Sequence, residues 1–312
     1  MESKNYGIEI EVKKENRSIW EKVSEAYGDK ALSVLEIGVY RAGQISSAHK
    51  WCNVKAYTGI DPYLGTSADP YRGAYWRDEV DSFYVYKESK RKFEKLGGNL
   101  YKTTSEIFYR SLNEDERFDV VFVDGDHRYV PALQDMFFYF KKLVPGGCMI
   151  VDDYANTDTP QVTNAVNCFL EMNEEEIERV DELELVFKNA RKHIPIYDKQ
   201  IFIYKKDGRY QKSEKETYLW GTGQVAEKCI EAWKGKVKIK GVLDNYFKGS
   251  EWRGLLYYKV EEIIKEGSLL VIATDRYYRE IAEQLVEMGY KENVDFMKRD
   301  IFEALYVSGW DV

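Results

Sequence analysis

The residues best able to do chemistry fall in two short clusters, Asp124-Gly125-Asp126-His127 and Asp152-Asp153. Each cluster ends an apolar run, residues 120–123 in the first case and 148–151 in the second. Runs with no polar alternation are typical of strands buried on both faces of a parallel sheet. Between them lie a helical pattern, with Val130, Leu133, Phe137 and Phe140 on one stripe, and the turn Pro145-Gly146-Gly147. A strand–helix–strand unit brings both carboxyl ends to one edge of the sheet, where open α/β sheets bind ligands. Four carboxylates converging there repel one another, and a bound divalent cation is the simplest remedy. The bland alternative makes Asp124 a helix cap and Asp152 a holder of its loop. The doublet argues against it, because Asp153 beside Asp152 has no structural need.

The elements that must position these residues can be read upstream and downstream. Residues 32–38 form a strand running into the turn Val39-Tyr40-Arg41-Ala42-Gly43, followed by a short helix through Trp51. Small residues in such a turn let a ligand approach the backbone at a helix N-terminus. A second strand, residues 56–60, ends in Asp61, and an acidic residue there suits ribose hydroxyls. Residues 99–102 read as a short third strand before Thr103-Thr104-Ser105. Ile19, Trp20, Val23 and Tyr27 recur at helical spacing, so residues 1–30 read as a lead-in helix. Thr159-Pro160 opens a helix carrying Val162, Ala165, Val166, Phe169 and Leu170. Residues 183–187 and 200–204 read as two last strands. The long connection after Asp61 holds Tyr63, Tyr71, Tyr75 and Trp76. Two readings of it stand level: a lid whose rings contact an acceptor, or an excursion packed on the domain surface.

Taken in order, the glycine turn, the acidic strand end, the VDGDH run and the PGG–strand–DDY run resemble the class I S-adenosylmethionine (SAM)-dependent methyltransferases over roughly residues 30–206. Leu35-Glu36-Ile37-Gly38…Gly43 is similar to their first motif and Tyr57-Thr58-Gly59-Ile60-Asp61 to their second. The chain departs in having Ala42 where the family often has Gly, and Thr104 where the third turn is often acidic. The resemblance implies an α/β fold with a seven-stranded, Rossmann-like sheet closed by a late hairpin. It also implies that Glu36, Gly38, Tyr40 and Gly43 face the methionine part of the cofactor. Asp61 would hold the ribose hydroxyls, Ser105 would sit beside the adenine, and Asp124 would border the cofactor.

The VDGDH and DDY motifs resemble the metal-dependent O-methyltransferase branch, which includes catechol, caffeoyl-CoA and macrolide-sugar enzymes. Carried over by position, Asp124, Asp152 and Asp153 become metal ligands, and oxygen-only ligation points to Mg²⁺, with Mn²⁺ or Ca²⁺ as alternatives. His127 and Asp126 compete as general base. Catechol-type relatives carry lysine at the position of His127, and sugar-acting relatives use the position of Asp126. Histidine is better matched to neutral pH, and a nearby cation weakens Asp126 more, so the reading leans to His127. His127 as an orienting hydrogen-bonder stays open. His49 reads as structural, and His193 as surface or substrate-proximal. The implied acceptor is a small hydroxylated molecule such as a sugar, glycan precursor or natural product. Two alternatives remain: a metal-free N- or C-methyltransferase, and a nucleotide-sugar-binding or scaffold protein of a polysaccharide pathway with an inactive methyltransferase domain.

At 312 residues the chain has room for two domains, expected over 1–208 and 213–312 with a polar linker between. The second contains Trp220-Gly221-Thr222-Gly223-Gln224-Val225-Ala226, a strand end, glycine turn and helix start, with Asp244 ending a further strand about twenty residues on. It reads as a small Rossmann-like unit and resembles accessory domains attached to bacterial polysaccharide- and sugar-modifying enzymes. A nucleotide ligand there and a structural or dimerising role are equally open, and a homodimer is compatible with the 25 Tyr. A net charge of −8 argues against a nucleic-acid partner. The four Cys form no CxxC pair, so neither zinc nor a disulfide framework is expected. The first residues show no apolar leader and no run reaches membrane-spanning length, so no membrane partner and a cytoplasmic location are expected.

Overall fold

A computed structural model describes residues 8–9, 18–63, 79–189, 195–207 and 215–308. The chain divides into two compact units, residues 1–209 and 210–312. Unit one contains β1 (Ile8–Glu9), β2 (Leu32–Ile37), β3 (Val54–Ile60), β4 (Asn99–Tyr101), β5 (Phe118–Val123), β6 (Leu143–Tyr154), β7 (Ile177–Asn189) and β8 (Pro195–Lys205). They form one sheet in the order β1-β7-β8-β6-β5-β2-β3-β4. The strands from β2 to β6 pair in parallel, while β8 pairs antiparallel with both β6 and β7. The seven expected strands are all present, and the two-residue β1 adds an eighth at the edge beyond β7.

That edge strand corrects the expectation of one helix over residues 1–30. The helix is Ile19–Tyr27, opened by Ser18, whose hydroxyl accepts from the Trp20 amide. A second correction concerns Pro145-Gly146-Gly147, which lies inside β6 rather than between elements. The pairing of β6 with β5 shifts register there, which absorbs a proline that cannot donate to a ladder. The last hairpin is longer than its apolar runs suggest. Charged residues such as Arg179, Asp181, Glu182 and Glu184 sit within paired β7 and hide its period from the sequence.

β5 is buried along its whole length, as its unbroken apolar run requires. Trp20, Val34, Tyr57, Phe93, Val120, Phe122, Ile150 and Phe202 form one continuous core cluster. The helices Tyr129–Lys141 and Pro160–Met172 meet through Phe140 and Phe169, whose rings pack edge to face at 5.2 Å. This order puts β2 at the centre, between β3 and β5, so the turns after β2 and β5 share the carboxyl edge at the topological switch point.

Unit two has a parallel sheet of β9 (Glu216–Trp220), β10 (Ile239–Leu243), β13 (Ser268–Ile272) and β14 (Phe296–Lys298), ordered β10-β9-β13-β14. A two-stranded ribbon, β11 (Glu251–Trp252) and β12 (Leu255–Leu256), lies outside it. All four cysteines are free thiols. No helix among the described residues is long and apolar enough to cross a membrane.

Candidate active site

The turn after β2 is built around close approaches and unusual backbone. Gly38 has φ +85°, and a Cβ there would lie 1.7 Å from the carbonyl oxygen of Asp124. Only glycine lets these two strand ends meet. Tyr40 and Ala42 also take positive φ, at 46° and 53°. Non-glycine residues in this region carry strain that neighbouring contacts must hold. Asp61 accepts from the amides of Val39 at 3.0 Å and Tyr40 at 2.8 Å through one oxygen, and from Tyr63 at 2.6 Å through the other. Ser89 donates to the Tyr40 carbonyl at 2.7 Å, and Lys92 to the Ala42 carbonyl at 2.8 Å. Both belong to the helix Glu79–Leu96. Phe93, on the same helix, covers Gly59 so closely that a Cβ there would fall 2.5 Å from its ring.

These contacts change the parts assigned to two acidic residues. Asp61 is almost buried, and burial pushes its carboxyl upward although the amides of Tyr40, Tyr63 and Val39 favour the charged form. Its first task is to clamp the turn. Glu36 is 1% exposed and accepts from the Tyr57 hydroxyl at 2.9 Å, so it faces the core; burial raises its carboxyl to about 8. Gly43 starts the helix Gly43–Trp51 with nothing close to its missing side chain. Tyr63 is wholly buried and tilts against Tyr86 with ring centres 5.1 Å apart, which removes it from any lid. Tyr71, Tyr75, Trp76 and His193 lie outside the described residues.

Asp124, His127 and Asp153 come together, with one donor atom from each lying within 4.8 Å of the others. His127 Nε2 is 2.8 Å from Asp153 Oδ2, and Asn156 donates to Asp153 Oδ1 at 2.7 Å. Asp153 itself has φ +59°, and the Thr159 hydroxyl donates to its carbonyl. Asp152, expected in this group, instead accepts from Gln200 of β8 at 3.0 Å. Burial, then the neighbouring Asp153, raises the Asp152 carboxyl. Asp126 is engaged by Arg128, whose Nε and Nη2 lie 2.9 and 2.6 Å from its two oxygens, and whose amide also donates to it. Both of its oxygens are thus occupied by one guanidinium. Asp126, Asp152 and Asp153 thus have protein partners, while Asp153 still repels the charge on Asp152. Gln200, Asn156 and Arg128 escaped the sequence reading because single polar residues in strands and turns carry no periodic signal.

Ser105, expected beside an adenine, opens the helix Ser105–Ser111, with Thr104 capping it by accepting from the Ile107 amide. Its hydroxyl bonds to Asp135, and its carbonyl accepts from the Tyr139 hydroxyl at 2.6 Å. In unit two, Asp244 accepts from the Thr222 amide and hydroxyl and from the Tyr246 amide. This repeats the way Asp61 clamps its own glycine turn.

Residues 35–154, the stretch that supplies every one of the unit-one turns just described, match a family model described as a methyltransferase domain. The matched stretch lies wholly within unit one. Residues 213–294 match a second model, described as C2185-like, N-terminal. The chain is 28% identical over 155 residues to the uncharacterized protein R132 of Acanthamoeba polyphaga mimivirus, covering 48% of this chain and 64% of that protein. The match thus spans just under two thirds of that relative's length. Among solved structures, an O-methyltransferase from Bacillus cereus with S-adenosylhomocysteine (SAH) is similar at a TM-score of 0.42 and 15% identity, over 60% of this chain and 79% of that one. The N-methyltransferase NodS from Bradyrhizobium japonicum, also with SAH, is similar at 0.38 and 14%, over 60% and 84%. Likenesses at this level do not distinguish an oxygen from a nitrogen acceptor.

Proposed function

We propose that this chain moves the methyl group of SAM to a hydroxyl oxygen of a small acceptor, with His127 as general base. The observation that carries the reading is the 2.8 Å contact of His127 Nε2 with Asp153 Oδ2, itself held by Asn156. In a neutral imidazole whose Nε2–H donates to Asp153, the lone pair is on Nδ1, a buried atom that the acceptor reaches only by displacing its cover. The acceptor oxygen attacks the sulfonium methyl carbon in line while the carbon–sulfur bond breaks. Its proton passes to His127, and sulfur keeps the bonding pair as SAH leaves. Asp153 holds the ring in place and stabilises the imidazolium that forms. Asp126 is not the base in this account, because Arg128 occupies it.

The carboxylate oxygens of Asp124 and Asp153 fit a divalent cation. Bound there, it would lower the pKa of the acceptor hydroxyl and fix its position. Oxygen ligands suit Mg²⁺, with Mn²⁺ as an alternative. A sugar or glycan precursor is the acceptor class we favour, supported by the likeness of VDGDH and DDY to sugar-acting enzymes. A second reading, metal-free transfer, is favoured by the protein partners already on Asp126, Asp152 and Asp153.

SAH release from SAM, followed with UDP-sugars and catechol in Mg²⁺, in Mn²⁺ and in EDTA, separates the two. Turnover that EDTA abolishes and either cation restores supports the metal-dependent reading. Turnover indifferent to EDTA but lost in His127→Ala establishes the metal-free one. Activity only on amine acceptors would overturn both.

A further inference from the structure

The helix Tyr129–Lys141 is buried nearly all round, by Ala132, Leu133, Met136, Phe137, Phe138, Tyr139 and Phe140, yet it also buries a carboxylate, Asp135, at 5% exposure. Burying such a group is costly, and a fold keeps it where its position matters. Among the described residues the charges acting on it are those of Asp126 and Glu106, both negative, and burial raises its carboxyl to about 7. Its contacts lie in two different turns of the site. Asp135 takes the Ser105 hydroxyl, and Tyr139, four residues on and so on the same helix face, takes the Ser105 carbonyl at 2.6 Å. Ser105 is thus held at both polar ends. The other side of the carboxylate lies against the Asp124–His127 turn, with Oδ2 3.2 Å from where a Cβ of Gly125 would be. The same helix begins directly after that turn, with Arg128 as its N-cap.

We propose that Asp135 is a positioning residue, fixing the turn after β4 and the Asp124–His127 turn against each other so that cofactor binding sets the geometry of the reacting edge. Asparagine at this place keeps an acceptor for Ser105, whereas alanine removes it. The proposal rests on the carboxyl edge of unit one being the SAM site.

The test uses the full chain and two readouts, SAH affinity by calorimetry and kcat at saturating SAM, for Asp135→Ala, Asp135→Asn, Ser105→Ala and the double alanine variant. Asp135→Ala is expected to weaken SAH binding and lower kcat, each by about tenfold, because a misplaced turn costs both steps. Asp135→Asn restores both to within about threefold, and the double variant binds SAH no worse than the weaker single one. The proposal is overturned if Asp135→Ala, once shown folded by circular dichroism, keeps both parameters within about twofold of the parent. It is equally overturned if Asp135→Asn is as impaired as Asp135→Ala, or if the two alanine effects on affinity simply add. A parent chain that binds no SAH ends the underlying site reading instead.

Discussion

Glu36 and His127 show how little residue type alone decides at this edge. Both are ionisable and lie near strand ends of unit one, but Glu36 is turned into the core onto Tyr57 while His127 meets Asp153. Burial lifts the Glu36 carboxyl from 4.5 to about 8, so the folded state prefers it protonated. Stability from this group is complete below about pH 4.5 and is lost as pH rises toward about 8, because the folded state then holds a proton that the unfolded chain releases. Glu36→Gln keeps an acceptor for the Tyr57 hydroxyl and removes the ionisation. Its melting temperature is expected to fall less than that of the parent between pH 5 and pH 8, with a gain on the order of a few kcal/mol at the upper end. Parallel melting curves across that range would refute the assignment.

At the scale of elements, the site is a set of strand ends held by backbone contacts. Gly38→Ala places a Cβ 1.7 Å from the Asp124 carbonyl at φ +85°, whereas Gly43→Ala meets nothing within 4 Å. The first is expected to cost about 4 kcal/mol or more, and the second to be neutral or stabilising by up to about 1 kcal/mol. Urea titrations check both, and equal effects would contradict the turn geometry. Such close approaches also mark the limit of what the sequence discloses. The unbroken apolar runs of β5 and β6 and the stripe on Tyr129–Lys141 were legible, because burial on a sheet imposes a period. The glycine turn and the two aspartate clusters were legible from their place at strand ends. Asp152 drawn aside by Gln200, Asp126 taken by Arg128 and Asp135 bridging two turns were not. Each depends on which of several polar neighbours a side chain reaches, and neighbours far apart in sequence leave no local pattern. β1 escaped for a related reason, since two paired residues are too few to show alternation.

At the scale of the molecule, each unit has its own sheet and its own core, and every residue of the reacting edge belongs to unit one. Residues 1–209 expressed alone are expected to bind SAH within about threefold of the full chain, read by calorimetry. A fragment that folds but does not bind would assign part of the site to unit two. His127, held by Asp153, is expected to take the acceptor proton. This role is tested most directly by single-turnover SAH formation in the full chain and in His127→Ala, with SAH affinity measured on both, once an acceptor from the UDP-sugar and catechol set supports turnover. The expected result is a rate lower by about 10² to 10⁴ with affinity unchanged within a few fold. An unchanged rate in His127→Ala would contradict it.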